Sequence, residues 1–323
     1  MPQPRASQID TSATPYYHCI SRCVRRAFLC GEDKYSGINY EHRRQWLADR
    51  MTLLAKHFAI DVCAYAILHN HYHLVLRINS EAAKAMTNQQ VVDNWTAIYT
   101  SGNESVNQYL QGKGGKSVKR SARKVIKRWR KRLCNISWFM RAMNEYIAKR
   151  ANREDEVKGH FWEERFKSQA LLDDTALLGC LAYVDLNPIR AGIVENLENS
   201  DFTSIQLRIK KLKESQTKNK IADAQNVEPQ IKQPKRLLPF NTGKVKNGID
   251  FPLKEYLKLV DWTGRYINPK KKGYIKEAEP ALLDTIGIDE KEWFEMTRGF
   301  EHKFARFAGS AERLDDYHRS KQR

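Results

Sequence analysis

The sequence has no run of about 18 apolar residues, and its first fifteen positions, Met1 to Pro15, are polar and do not form a basic patch followed by an apolar stretch. Neither a membrane-spanning helix nor a secretory leader is expected, and the reading is a soluble, cytoplasmic protein. Cysteine is sparse. Cys19, Cys23, Cys30, Cys63, Cys134 and Cys180 have neither the density of a disulfide scaffold nor the paired CxxC spacing of a zinc site. Reduced, mostly buried thiols are expected, with Cys19 and Cys23 the one close pair. No internal repeat is present. Acid is also in short supply: 56 Lys and Arg face 38 Asp and Glu, a formal charge of +18, which is the balance of a polyanion binder. Charge alone does not separate nucleic acid from an anionic membrane, but without a membrane-type segment nucleic acid is the expected partner. A length of 323 residues accommodates one sizeable core plus a second, smaller unit.

Tyr16 to Val24 has the aromatic and β-branched content of a strand, and Tyr40 to Phe58 carries Trp46, Leu47, Met51 and Leu54 at helical spacing. Asp61 to Ile78 is rich in strand formers on both sides of a polar kink, which predicts two strands or one long bent strand, followed by a helix near Asn88 to Thr100. Lys113 to Arg132 holds eleven Lys or Arg and no acid. It is helix-compatible after a Gly-rich start, and blocks of like charge persist mainly where an anion neutralises them, so Lys116, Lys119, Arg120, Arg123, Lys124, Lys127, Arg128, Arg130, Lys131 and Arg132 are expected to contact phosphates. Trp129 within the run either stacks on an unpaired base or anchors the helix to the core. Ile136 to Arg150 reads as an amphipathic helix, Phe161 to Leu172 as a loop into a strand, and Asp174 to Asp185 as a helix stopped at Asn187-Pro188. The polar stretch from Lys210 cannot bury enough apolar surface to fold alone. The expected division is a catalytic-type region over 1–209 with a basic insertion at about 111–133, a linker over 210–248 and a small helical unit over 249–323.

The densest set of nitrogen donors is His69-Asn70-His71-Tyr72-His73. On a strand, His71 and His73 point to one face about 7 Å apart while Tyr72 faces the other, so both imidazoles can converge on one metal. His69 shares that face if the strand extends back, which would make a three-histidine zinc site, with His160 as a further ligand. Downstream, Tyr183 and Asn187 are four apart and stack on one helical face.

With Tyr17-His18 to Arg22, the block LHNHYHLVL, the block GHFWEERFKSQ from Gly159 and YVDLNPIRAGIV from Tyr183, the chain resembles the HUH single-tyrosine transposases, in the branch associated with REP elements, over roughly residues 15 to 205. The resemblance implies an α+β fold with a ferredoxin-like antiparallel sheet and helices on one face. It makes His71 and His73 the metal-binding histidines, Tyr183 the nucleophile and Asn187 the polar residue completing the metal site. The implied activity is metal-dependent cleavage and rejoining of single-stranded or hairpin DNA with Mg²⁺ or Mn²⁺, as a monomer or homodimer. The basic stretch and the long C-terminal part depart from the compact family pattern. Lys167 and Arg190, with Arg165, either hold DNA near the site or pair with Glu163, Glu164 or Asp185. The alternatives are a non-catalytic hairpin-binding relative and a zinc protein built on the histidines. Trp262-Thr263-Gly264-Arg265 and Pro269 to Gly273 either contact DNA or cap the catalytic part.

Overall fold

The computed structural model describes residues 9–24, 29–33, 36–100, 102–222, 233–241, 247–267, 283–284 and 286–322. Strand β1 (Tyr16–Arg22) is followed by helix α1 (Arg43–His57) and by two strands, β2 (Ile60–Ile67) and β3 (His71–Ile78). The polar kink at His69-Asn70 is the turn of a hairpin, since Leu68 N–H bonds back to His71 O at 2.9 Å. Helices α2 (Ser80–Ala85), α3 (Asn88–Thr96), α4 (Glu104–Leu110), α5 (Lys116–Leu133) and α6 (Ile136–Glu154) lead to β4 (Lys167–Leu171). The chain then runs through α7 (Asp174–Asp185), the short α8 (Asn187–Arg190) and α9 (Ser204–Ala222). After β5 (Phe240–Asn241) and β6 (Ile249–Asp250) come α10 (Leu253–Ile267), α11 (Glu290–Lys303), β7 (Phe307–Ala308) and α12 (Ala311–Gln322).

The main sheet has the order β2-β3-β1-β4-β7. The first four strands pair antiparallel, and β7 joins β4 in parallel, so the sheet is mixed and not wholly antiparallel. Both faces are buried: Tyr72, Leu74, Leu76 and Ile78 of β3 make one apolar side, and His71, His73 and Arg77 flank Val75 on the other. One face, carrying Tyr17, Tyr72, Leu74 and Leu76, packs on Leu47, Met51 and Leu54 of α1 and on Phe139, Met143 and Ile147 of α6. The other, with Ala64, Ala66 and Val75, packs on Leu177 and Leu181 of α7, Tyr256 and Leu259 of α10, and Trp293 and Phe300 of α11. The expectation of helices on one face is thus corrected. The C-terminal residues cover the second face and add an edge strand, since an apolar sheet face must be buried against another element. A bulge between Val62 and Ala64 switches the alternation of β2, so that Val62 faces the first core while Cys63 and Ala64 both face the second.

Helix α7 starts where Asp173 accepts from Ala176 N–H at 2.8 Å, as its capping residues predict. It ends at Asp185, and one further turn resumes over α8 with Pro188 in the first turn, where a missing N–H costs nothing. Gly179 lets α11 lie close to α7: a Cβ there would sit 2.8 Å from Met296 Cε. The segment expected as a linker over 210–248 is described at 210–222, 233–241 and 247–248. It begins inside α9, and Leu237 is buried in the first core while Leu238 and Phe240 are buried in the second.

Candidate active site

His71 opens β3 and His73 follows on the same face, beside Ile20 and Arg22 of β1 in register. The two rings lie 4.9 Å apart, centroid to centroid. His69 falls in the turn ahead of the strand, exposed and against Gly31, so it does not join them. His160 is exposed as well. Among the described residues no three His, Cys, Asp or Glu side chains gather into a metal-binding group. The available donors are two imidazoles and one amide.

That amide belongs to Asn187, whose Nδ2 lies 2.8 Å from His73 Nε2. Tyr183, one helical turn earlier, has its ring 5.7 Å from the His73 ring and is only 7% exposed. The sequence spacing therefore brings His71, His73, Tyr183 and Asn187 to one place. Three residues to which the sequence assigned no site role complete it, His18 and Gln169 from within the blocks that carry the resemblance and Glu301 from outside them. His18 of β1 stacks on His73 with its Nε2 3.0 Å from His73 Nδ1. Gln169 of β4, opposite His18 in register, offers Oε1 to His18 Nδ1 at 2.8 Å. Glu301 of α11 accepts the Tyr183 phenol hydrogen at 2.9 Å.

These bonds determine one another. Gln169 Nε2 donates to the main-chain oxygens of Phe304 and Ala305, so its Oε1 faces His18 and can only accept. His18 then carries its hydrogen on Nδ1, His73 donates from Nδ1 to His18 Nε2, and the lone pair of His73 is left on Nε2, towards Asn187. Burial holds both rings in the neutral form, pushing His18 down and His73 well below the ordinary histidine value. His71 is lowered to about 4, mainly by burial, with Glu301 opposing. Neutral rings with a directed lone pair are what metal ligation requires.

Burial pushes the Tyr183 phenol above its ordinary value; the Arg190 guanidinium opposes this and Glu301 adds to it. Arg190 lies over the tyrosine ring at 4.0 Å and donates to Thr297 O at 2.9 Å. It thus pairs with neither Glu163, Glu164 nor Asp185 and faces the tyrosine instead of solvent. Asp185 is buried, bonded to Ser204 Oγ and Tyr256 OH. Beside His71 and Glu301 opens a cleft of about 140 Å³ that also includes Arg22, Arg165, Lys167, Glu163 and Glu164. Its exposed pairs Arg22–Glu163 at 4.0 Å and Lys167–Glu164 at 3.5 Å are weak contacts that a phosphate can replace.

On the other side of the sheet, α5 buries Ala122, Ile126, Trp129 and Leu133 and exposes its cations. Lys116, Lys119, Arg120, Arg123, Lys124 and Lys127 line one open groove, and Arg128 and Lys131 are also exposed. Two of the expected contacts are engaged within the protein. Arg130 donates to Ala83 O at 2.8 Å and to Met86 O, and Arg132 stacks on Trp138 at 4.0 Å. Trp129 is buried against Trp95 at 5.4 Å, so it is an anchor and not a base-stacking platform. Trp262 is likewise buried, and Arg265 pairs with Asp261 at 2.7 Å. The run Pro269 to Gly273 lies outside the described residues.

No helix among the described residues is long and apolar enough to cross a membrane. No family model matches the chain, and no curated protein matches it. A solved structure of a REP-associated tyrosine transposase bound to a REP hairpin is similar to it over 65% of this chain and 86% of the other, at 12% identity and a TM-score of 0.37.

Proposed function

We propose that the chain is a DNA strand transesterase of the HUH single-tyrosine type, which cleaves and rejoins single-stranded or hairpin DNA through a 5′-phosphotyrosine on Tyr183. One observation carries the reading: a tyrosine hydroxyl, a carboxylate that accepts its hydrogen at 2.9 Å and a histidine with a directed lone pair lie in one buried cluster that meets the cleft at His71 and Glu301. The order β2-β3-β1-β4, with α1 between β1 and β2 and the five helices α2 to α6 between β3 and β4, supports the ferredoxin-like reading of the sheet.

Tyr183 attacks phosphorus, the new Oη–P bond forming as the bond from phosphorus to the 3′ oxygen breaks. The phenol proton passes to Glu301, and the departing 3′ oxygen takes a proton from water. Because burial raises the phenol, a base in hydrogen-bond contact is needed at neutral pH. Rejoining reverses these transfers with a 3′-hydroxyl as nucleophile, and no ATP is consumed. Arg190, packed on the tyrosine ring, holds it in place. His71 and His73 through ring nitrogens and Asn187 through its amide oxygen would hold a divalent cation, Mg²⁺ or Mn²⁺: both rings are neutral, and the cation would replace the Asn187 Nδ2 hydrogen at the His73 Nε2 lone pair. When bound, the cation would supply Lewis-acid polarisation of a non-bridging phosphate oxygen. The exposed cations of α5 are the surface for the rest of the DNA.

The test is incubation with labelled single-stranded hairpin DNA and Mn²⁺ or Mg²⁺, followed by denaturing gel electrophoresis. A covalent adduct lost in Tyr183→Phe and with EDTA is expected, and His71→Ala should lose it while retaining most DNA binding. A recognition-only reading draws support from the near-complete burial of Tyr183, whose hydroxyl is engaged by Glu301. Tight hairpin binding without any adduct would favour it.

A further inference from the structure

A second cleft, of about 460 Å³, lies at the far end of β3 from His71. Its charged lining is Lys56 from α1, Asp61 from β2, Arg77 from β3 and the consecutive Lys235 and Arg236. Asp61 is paired with Arg77, which donates to its Oδ2 from Nε at 2.8 Å and Nη2 at 2.6 Å, with Asn79 Nδ2 on the same oxygen at 3.3 Å. Arg236 Nη1 reaches only Thr52 Oγ1, at 3.5 Å. Among the described residues neither Lys56, Lys235 nor Arg236 forms an ion pair with a carboxylate. Three unneutralised cations around one concavity repel each other and create a positive potential that an anion relieves.

The remaining lining limits the chemistry of that anion. It supplies a hydroxyl, two amides and aliphatic side chains, with no aromatic ring on which a base could stack. Ammonium, guanidinium and amide donors without a stacking platform fit phosphate groups and not nucleobases. The place of the cleft in the fold indicates where such phosphates come from. Arg77 lies on the same face of β3 as His71 and His73, six residues further on, about 20 Å at a rise of about 3.3 Å per residue. The last residue of α5, Leu133, accepts from Ala59 N–H at 2.9 Å, and Ala59 O accepts from Asn79 N–H at 3.0 Å, so α5 ends against the cleft wall.

We infer that this cleft is a phosphate-binding subsite, filled by the backbone of a nucleic acid held at both α5 and the Tyr183 pocket. The identity of that polyanion rests on the DNA reading above; the gathering of unpaired cations does not. At about 3.4 Å per base pair, the contact falls about six base pairs from the reacting phosphate. The contact is independent of sequence.

The experiment replaces three exposed or half-buried side chains in the full chain, Lys56→Gln, Lys235→Gln and Arg236→Gln together, with the melting temperature checked against wild type. Fluorescence anisotropy with a labelled DNA hairpin is recorded from about 50 to 200 mM salt. At about 0.9 per neutralised phosphate, the slope of log affinity against log salt should fall by about two to three, and affinity at the low-salt end should drop about 10- to 100-fold. An unchanged slope overturns the assignment to a nucleic-acid backbone. Sodium tripolyphosphate, titrated by calorimetry, distinguishes the other source. If wild type binds it, the triple variant does not and DNA affinity is indifferent to the triple change, the subsite holds a free polyphosphate. If wild type binds neither probe at these residues, there is no subsite. Failure of the DNA reading itself shows separately, as absence of any hairpin binding by wild type.

Discussion

The Tyr183 pocket and the outer face of α5 are built on opposite principles. In the pocket almost every polar atom is bonded to another protein atom: Gln169 to main-chain oxygens, His18 to Gln169, His73 to His18 and Asn187, Tyr183 to Glu301. On α5 the exposed cations line a groove with no carboxylate of the described residues paired to them. The first arrangement positions and protonates a few atoms; the second leaves binding capacity unspent. Chemistry should therefore depend on single side chains in the pocket, and affinity on the sum of charges along the helix.

The sharpest break of that contrast is Tyr183→Phe, which should lower adduct formation by about 10⁴-fold or more while leaving hairpin affinity within about twofold; parallel loss of affinity would mean that the pocket is a binding surface. Glu301→Gln keeps the shape and removes the base. Cleavage rates at pH 7 should fall about 10²- to 10⁴-fold, and a rate equal to wild type would leave Glu301 structural. On the other region, changing Lys116, Lys119, Arg120, Arg123, Lys124 and Lys127 to Gln preserves helix propensity. Affinity should fall about 10³-fold with a shallower salt slope, measured by anisotropy, while the single-turnover rate at saturating DNA stays near wild type. The smallest effect is on stability against pH. His71 is neutral in the fold down to about 4, whereas the unfolded chain takes up its proton near the ordinary histidine value. Stability is thus full above about pH 6.5 and declines as the pH falls towards 4, by up to about 3 kcal/mol from this residue. Denaturant melts at pH 7 and 4.5 read the sum over His71, His18 and His73, all lowered by burial, and His71→Gln should reduce the difference without abolishing it.

How far each region could be read from sequence follows from the same contrast. The α5 helix was visible because its signal is local: a run of cations broken by Ala122, Ile126, Trp129 and Leu133 at helical spacing. His71 and His73 were visible because they share β3, and Tyr183 and Asn187 because they stand four apart across α7 and α8; the roles given to them came from the family resemblance. His18, Gln169 and Glu301 were not, since each reaches its partner across the sheet or from α11, and a lone histidine, glutamine or glutamate has no periodicity. The same holds for β7, two residues long, and for the covering of the second sheet face by the C-terminal helices. Sequence left Trp129 open between stacking and anchoring, and did not show that Arg130 and Arg132 are engaged within the protein, because charge and aromaticity alone do not reveal which side of a helix faces the core.

The anchoring of Gln169 on main-chain oxygens at Phe304 and Ala305 also bears on how this protein can change over generations. A peptide oxygen is the same whatever side chain hangs beside it, so replacing residue 305, whose side chain is exposed, leaves the hydrogen on His73 where it is. Insertion or deletion of one residue between Phe300 and Phe307 shifts the register of those oxygens and reorients Gln169, His18 and His73 in turn. Variation in this stretch should therefore appear as exchange of residues at constant length.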